Sequence, residues 1–271
     1  MSDTLRYELM RPRQILVERA RAPIAYVPIG PMEWHGPHLP VGMDMLHAYT
    51  MALEAARQTG GVVLPPLPLG TETYTEPERL RHRGFTGDER VYGMNYPGFS
   101  LPSLYVEDSA MGVIVHEVIR ALKRQEFRVI MIVNGHGATN HRATLGRIAV
   151  EESEPGRVAV LLAGYFYDTS YREHAALGET SYLMAFHPET VDLDALPPLP
   201  EPLRYTEFGI LDTPTIVGEP SPGFAVRPEQ DPRHATAGHG RDDVAQEARS
   251  ITAKALQALA GVTGSGARGE E

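Results

Sequence analysis

Cysteine is missing from all 271 residues. Disulfides and thiolate zinc sites are therefore excluded, and any bound metal must be held by His, Asp and Glu. Tryptophan is nearly absent, with Trp34 as its single copy. Positive charge is also scarce: 25 Lys and Arg stand against 35 Asp and Glu, a formal net charge of −10. That balance argues against nucleic acid or an anionic membrane as a partner. Long apolar runs are lacking and residues 1–20 are charged throughout, so neither a membrane span nor a signal peptide is expected. A soluble, cytoplasmic protein is the expectation.

Hydrophobic residues make up 42% of the chain, too many for global disorder. A chain of this length can bury one substantial core, so a single α/β domain over residues 1–260 is expected, followed by a disordered tail, 261–271. Strand and helix patterns alternate. Ile24-Ala25-Tyr26-Val27 and Val62-Val63-Leu64 read as short buried strands. Val129-Ile130-Met131-Ile132-Val133 is unbroken, apolar and largely β-branched, as a central parallel strand should be. Residues 158–162 form a further candidate strand. Helical spacing is predicted over 45–59, 106–125 and 242–259; a further helix is expected after Asn140, to about Glu152, and residues 179–186 read as another helix start. Residues 66–104 carry no sustained period and are rich in Pro, Gly, Tyr and charge. A loop of that length with such aromatic content predicts an ordered lid or a subunit contact. The alternation implies a three-layer α/β/α sandwich with a mostly parallel central sheet.

Polar residues gather in loops at strand ends, where parallel sheets keep their sites. After the first strand come Glu33, His35 and Asp44 among glycines and prolines. Glu33 and His35 are two apart, so on an extended segment both point to one face. After the central strand, His136 sits between Gly135 and Gly137, a turn that opens an imidazole to a cleft. The third group is His174 and Glu179, with Glu179 near a helix start. Each group also has a plain alternative: solvated loop charges, a satisfied loop histidine, or a helix-dipole partner.

Taken together, four segments resemble the creatininase (creatinine amidohydrolase) family. They are Pro28-Ile29-Gly30-Pro31-Met32-Glu33-Trp34-His35-Gly36-Pro37-His38-Leu39-Pro40 with Asp44, Val133-Asn134-Gly135-His136-Gly137-Ala138-Thr139-Asn140, His174-Ala175-Ala176-Leu177-Gly178-Glu179-Thr180-Ser181, and Asp231-Pro232-Arg233-His234-Ala235-Thr236-Ala237 with Gly240. The resemblance implies a three-layer fold, two divalent metal ions per chain (Zn²⁺, Mn²⁺ or Fe²⁺) and a homo-oligomer, often a hexamer. It implies Glu33 and His136 as terminal ligands of one ion, His35 and Glu179 of the other, and Asp44 as the bridge. It assigns His174 to proton transfer. Mixed N/O donor sets suit such ions, which activate a shared water to attack a carbonyl carbon.

The chain also departs from that family. Relatives that open creatinine carry a glutamate two residues past the loop histidine, where this chain has Ala138. They place tryptophans around the substrate, whereas here Trp34 stands between two ligand positions. Their Pro-Gly-Thr segment reads Pro97-Gly98-Phe99-Ser100 here. Creatinine is therefore not the expected substrate. Hydrolysis of a C–N bond in a small cyclic amide leads; ring opening of a cyclic polyol ketone such as an inosose, trimming of a small modified peptide, and a non-catalytic scaffold stand as alternatives.

Overall fold

The computed structural model describes residues 5–82, 85–97, 99, 101–164, 174–201, 203, 205–206, 209–210 and 228–264. Four strands, β1 (Ile24–Ile29), β2 (Val62–Val63), β3 (Val129–Asn134) and β4 (Ala159–Gly164), form one sheet in the order β2-β1-β3-β4. Every pairing in it is parallel, with Ile24 opposite Val129 and Val129 opposite Ala159. β1 and β3 are buried along their whole length. That explains their unbroken apolar sequence: helices cover both faces.

Alternation along each strand divides the core in two. Ala25, Val27, Ile29, Ile130 and Ile132 face one helical layer, α4 (Asp108–Arg124) and α5 (Thr139–Glu152). Met111, Val115, Ile119 and Leu122 form the buried stripe of α4, at helical spacing. Ile24, Tyr26, Val129, Met131 and Val133 face the opposite layer, α2 (Met43–Thr59) and α7 (Ala237–Gly264). Fully burying each such Val, Leu or Ile contributes about 1.5–3 kcal/mol. The three-layer α/β/α expectation stands, and the sheet is wholly parallel. The remaining α-helices among the described residues are α1 (Pro12–Arg21), α3 (Pro77–His82) and α6 (Leu177–Phe186).

Several boundaries differ from the sequence reading. α1 was not anticipated; its residues are intermediate or exposed, so no continuous apolar stripe marks it. α2 begins at Met43, two residues earlier than the pattern suggested, because Gly42 serves as its N-cap. Asp44 therefore sits in a helical first turn, not in a loop. α7 starts at Ala237 and runs to Gly264, so residues 261–264 are helical and not part of a frayed tail. Residues 265–271 lie outside the described residues. Leu196 and Leu203 are buried against Ala176. None of the described helices is long and apolar enough to cross a membrane.

The strand order positions the site. From β1 the chain moves outward to β2, then returns to place β3 on the other side of β1. The sheet thus has a switch point between β1 and β3, and the crevice there, at the strands' C-terminal ends, is where such sheets bind ligands. The loops carrying Glu33 and His136 leave the sheet at that crevice.

Candidate metal centre

Backbone contacts bring the two loops together. The Gly135 N–H donates to the Ile29 carbonyl at 3.0 Å. A Cβ at Gly135 would lie 2.0 Å from the Asp44 carbonyl oxygen, so only glycine lets the first turn of α2 approach this closely. Asn134 then shapes the turn: its Oδ1 accepts from the His136 N–H at 2.9 Å, and its Nδ2 donates to the His136 carbonyl at 2.7 Å. His141 Nε2 reaches the same Oδ1 at 3.0 Å. Gly135→Ala is therefore expected to wedge α2 from the β3 loop. Overpacking of this kind costs roughly 1–3 kcal/mol, and bound-metal content should fall with stability. Urea unfolding and elemental analysis check this; wild-type values in both would refute it.

All five expected ligands converge and are buried: Glu33 2%, His35 1%, Asp44 2%, His136 3% and Glu179 3% exposed. Asp44 lies between the two halves. Its Oδ1 is 3.1 Å from His35 Nε2, and its Oδ2 is 2.9 Å from His136 Nδ1. Glu33 Oε2 lies 3.4 Å from His136 Nδ1, and Glu179 Oε2 lies 3.7 Å from His35 Nε2. Donor atoms of Glu33, Asp44 and His136 fall within 4.8 Å of one another, as do those of His35, Asp44 and Glu179, and those of Glu33, His35 and His174. Glu179 occupies the first turn of α6 and accepts a hydrogen bond from the Ala175 N–H. Ala175 itself holds φ 53, a left-handed conformation that costs a non-glycine residue about 1–3 kcal/mol.

The electrostatics ask for cations. Burial pushes the Glu33 and Asp44 carboxyls up, yet the surrounding imidazoles more than offset it and hold both below their ordinary values. Burial pushes His35 down, but Glu179 and Asp44 override it and raise it to about 10. His136 is likewise raised, by Glu33 and Asp44 against burial. In both imidazoles the upward shift comes from the carboxylates crowded around them. His35 Nδ1 lies 3.0 Å from the Glu33 carbonyl, turning Nε2 inward, where it is buried without a hydrogen-bond partner. An inward, unpartnered imidazole nitrogen among buried carboxylates fits a divalent ion.

A family model described as creatininase, creatinine amidohydrolase, matches residues 9–256. The chain belongs to the creatininase family. With membership comes its class, a metal-dependent hydrolase. A creatinine amidohydrolase of Pseudomonas putida is 22% identical over 257 residues, covering 88% of this chain and 87% of that protein. A mycofactocin precursor peptide peptidase of Mycolicibacterium smegmatis is 29% identical over 213 residues, covering 71% of this chain and 75% of that protein. Among solved structures, a protein from Bacteroides fragilis assigned as a creatinine amidohydrolase superposes with a TM-score of 0.66, at 21% identity, covering 95% of this chain and 97% of that one. A manganese form of creatininase shares the fold at a TM-score of 0.59, with 19% identity over 94% of this chain and 98% of that one. A zinc–zinc form does so at 0.57, with 18% identity over 96% and 98%.

The creatininase-family site opens into a cavity of about 400 Å³, within the usual range for small-ligand sites. Ala138 is in its wall, and so are Glu72, Tyr74, Arg79 and Tyr96. Within the segment 66–104, residues 72–76, 79, 93, 94 and 96 therefore line the site. Trp34 anchors that segment: its indole stacks on Phe99 at 4.6 Å within an apolar cluster that includes Leu80 and Phe85, and its backbone N–H donates to Ser103 Oγ at 2.9 Å. Two residues escaped the sequence reading. Tyr105 donates a hydrogen bond to Glu33 Oε1 and accepts from the Met94 N–H at 3.1 Å. Glu72 places Oε1 3.5 Å from His136 Nε2; burial, despite the pull of His136, holds its carboxyl above the ordinary value. Neither belongs to a motif or a periodic pattern, so no local signal marked them.

Proposed function

We propose that the chain holds two divalent ions, one at Glu33, Asp44 and His136 and one at His35, Asp44 and Glu179, and hydrolyses an amide C–N bond. The observation that carries this reading is Asp44, whose two oxygens face different histidines at 3.1 and 2.9 Å. Zn²⁺, Mn²⁺ or Fe²⁺ bound there would polarise a carbonyl and bring a shared water's pKa toward neutrality.

The protein's own groups do the rest. His174 Nε2–H donates to the Trp34 carbonyl at 2.6 Å, which fixes the tautomer and leaves Nδ1 as an acceptor on the inner side. Burial and the neighbouring His35 push this imidazole down to about 4, so it stays neutral near pH 7 and is able to accept a proton. It takes that proton from the attacking water and returns it to the leaving nitrogen. Tyr105 braces Glu33 against rotation through its hydrogen bond. The Trp34-anchored segment walls the cavity and limits bulk water around the reacting groups.

For the substrate, a small cyclic amide other than creatinine is the first reading. Ala138 supports the exclusion: it lines the cavity where a glutamate would reach it, and a methyl group cannot orient water or take a proton. A small peptide is the second reading, supported by the peptidase relative at 29% identity. The names of both curated relatives describe hydrolysis of amide-type bonds, which favours C–N over C–C cleavage. Protein purified without added metal should carry about two ions per chain, in line with dinuclear hydrolases. Loaded protein should hydrolyse members of a lactam and short-peptide panel, followed by mass spectrometry, with negligible turnover of creatinine. Robust creatinine turnover would overturn the exclusion, and a chain that takes up no metal would overturn the whole reading.

A further inference from the structure

Three imidazoles direct one nitrogen at the buried carboxylates, and each needs an acceptor for the N–H on its other side. For His35 that acceptor is the Glu33 carbonyl, 3.0 Å from Nδ1. For His174 it is the Trp34 carbonyl, 2.6 Å from Nε2. His136 differs. Its Nδ1 faces Asp44 and Glu33, while its Nε2 is buried without a hydrogen-bond partner. The carboxylate facing that nitrogen is Glu72, with Oε1 at 3.5 Å.

Glu72 is held in place for this contact. Its N–H donates to Tyr92 Oη at 3.1 Å, and its carbonyl accepts from Asn140 Nδ2 at 3.0 Å. Its Oε2 accepts from the Thr73 N–H at 2.9 Å, which leaves Oε1 for His136. Asn140 lies in the first turn of α5, directly after the His136 loop, so the clamp ties Glu72 to the helix that follows that loop. A closure of roughly 0.5 Å brings the pair into hydrogen-bond range.

We propose that Glu72 is a positioning residue of the metal centre: it accepts the Nε2–H of His136 and thereby commits Nδ1, unprotonated, to the ion shared with Glu33 and Asp44. The inference rests on the two-ion reading. A carboxylate behind a ligating imidazole fixes its tautomer and raises its basicity, and its loss typically weakens metal binding about 10–100-fold. The carboxylate comes from the segment that also walls the cavity, so substrate wall and metal site are mechanically joined at residue 72.

The test uses the full chain stripped of metal and titrated with Zn²⁺ by calorimetry, in wild type, Glu72→Ala and Glu72→Gln. Thermal unfolding confirms that each variant is folded. Glu72→Ala should lose roughly 10–100-fold affinity for one ion and leave the other unchanged. Glu72→Gln should recover most of that loss, because its amide oxygen still accepts the N–H. Histidine ¹⁵N shifts should report Nε2–H at His136 in wild type and a mixed tautomer in Glu72→Ala. Wild-type affinity at both ions in Glu72→Ala, equal weakening at both, or a glutamine no better than alanine would overturn the proposal. Should wild type take up only one ion, the two-ion reading fails, and the His136 tautomer alone still decides the role of Glu72.

Discussion

Asp44→Ala is expected to strip both ions and all activity together. Asp44 Oδ1 faces His35 and Oδ2 faces His136, so each half of the site contains one of its oxygens. Removing the carboxylate leaves the first half with Glu33 and His136, and the second with His35 and Glu179. It also deletes one of the buried negative charges that make the site attractive to cations. His35→Ala and Glu179→Ala remove donors found in the second half, and should each release one ion preferentially. Asp44 lies in the first turn of α2, where a carboxylate near the helix N-terminus contributes about 0.3–1 kcal/mol. The fold should survive that loss, as circular dichroism would report. Elemental analysis of the three variants provides the comparison; a full metal complement in Asp44→Ala would exclude the bridging role.

The second large effect is on rate without loss of metal. His174→Ala should retain its ions and lose roughly 10²–10⁴-fold in turnover of whichever amide the screen identifies, as expected for a missing general acid–base. At 1.36 kcal/mol per tenfold, that is about 3–5 kcal/mol of barrier. The geometry gives this prediction its risk. His174 Nδ1 lies 3.9 Å from Glu33 Oε2, its ring centroid is 4.1 Å from that of His35, and its donor atoms group with theirs closely enough to hold an ion. Metal content must therefore be measured on the samples used for kinetics. Metal lost in proportion to rate would make His174 a ligand, and the proton-transfer role would fail.

Where side chains repeat with the period of a buried element, the chain's order already announces the structure. β3 is the clearest case: its apolar, β-branched run could only be covered on both faces, and it is. The motif loops were legible for a different reason, since glycine and proline mark a chain leaving a strand, and His and carboxylates among them mark chemistry. α1 was not legible, because its helix rests on ends and context rather than on an apolar stripe. α3 was hidden inside an aperiodic segment and is only six residues long.

The amino-acid order determined the α/β class and the absence of thiolate chemistry, because these depend on residue type and local spacing; Glu33, His35, Asp44, His136 and Glu179 became a candidate ligand set only through the resemblance to the creatininase family. Tertiary structure decided which of them meet. Asp44 and His136 are 92 positions apart in the chain, yet Gly135 lets the Asp44 backbone approach the β3 loop closely enough for their side chains to meet. Tertiary structure alone revealed Tyr105 against Glu33 and Glu72 against His136, carried there by a segment anchored on Trp34. The physical reason is that hydrogen bonding and packing act over a few ångströms in space, and no period or motif along the chain encodes a contact whose partners lie on separately folded segments.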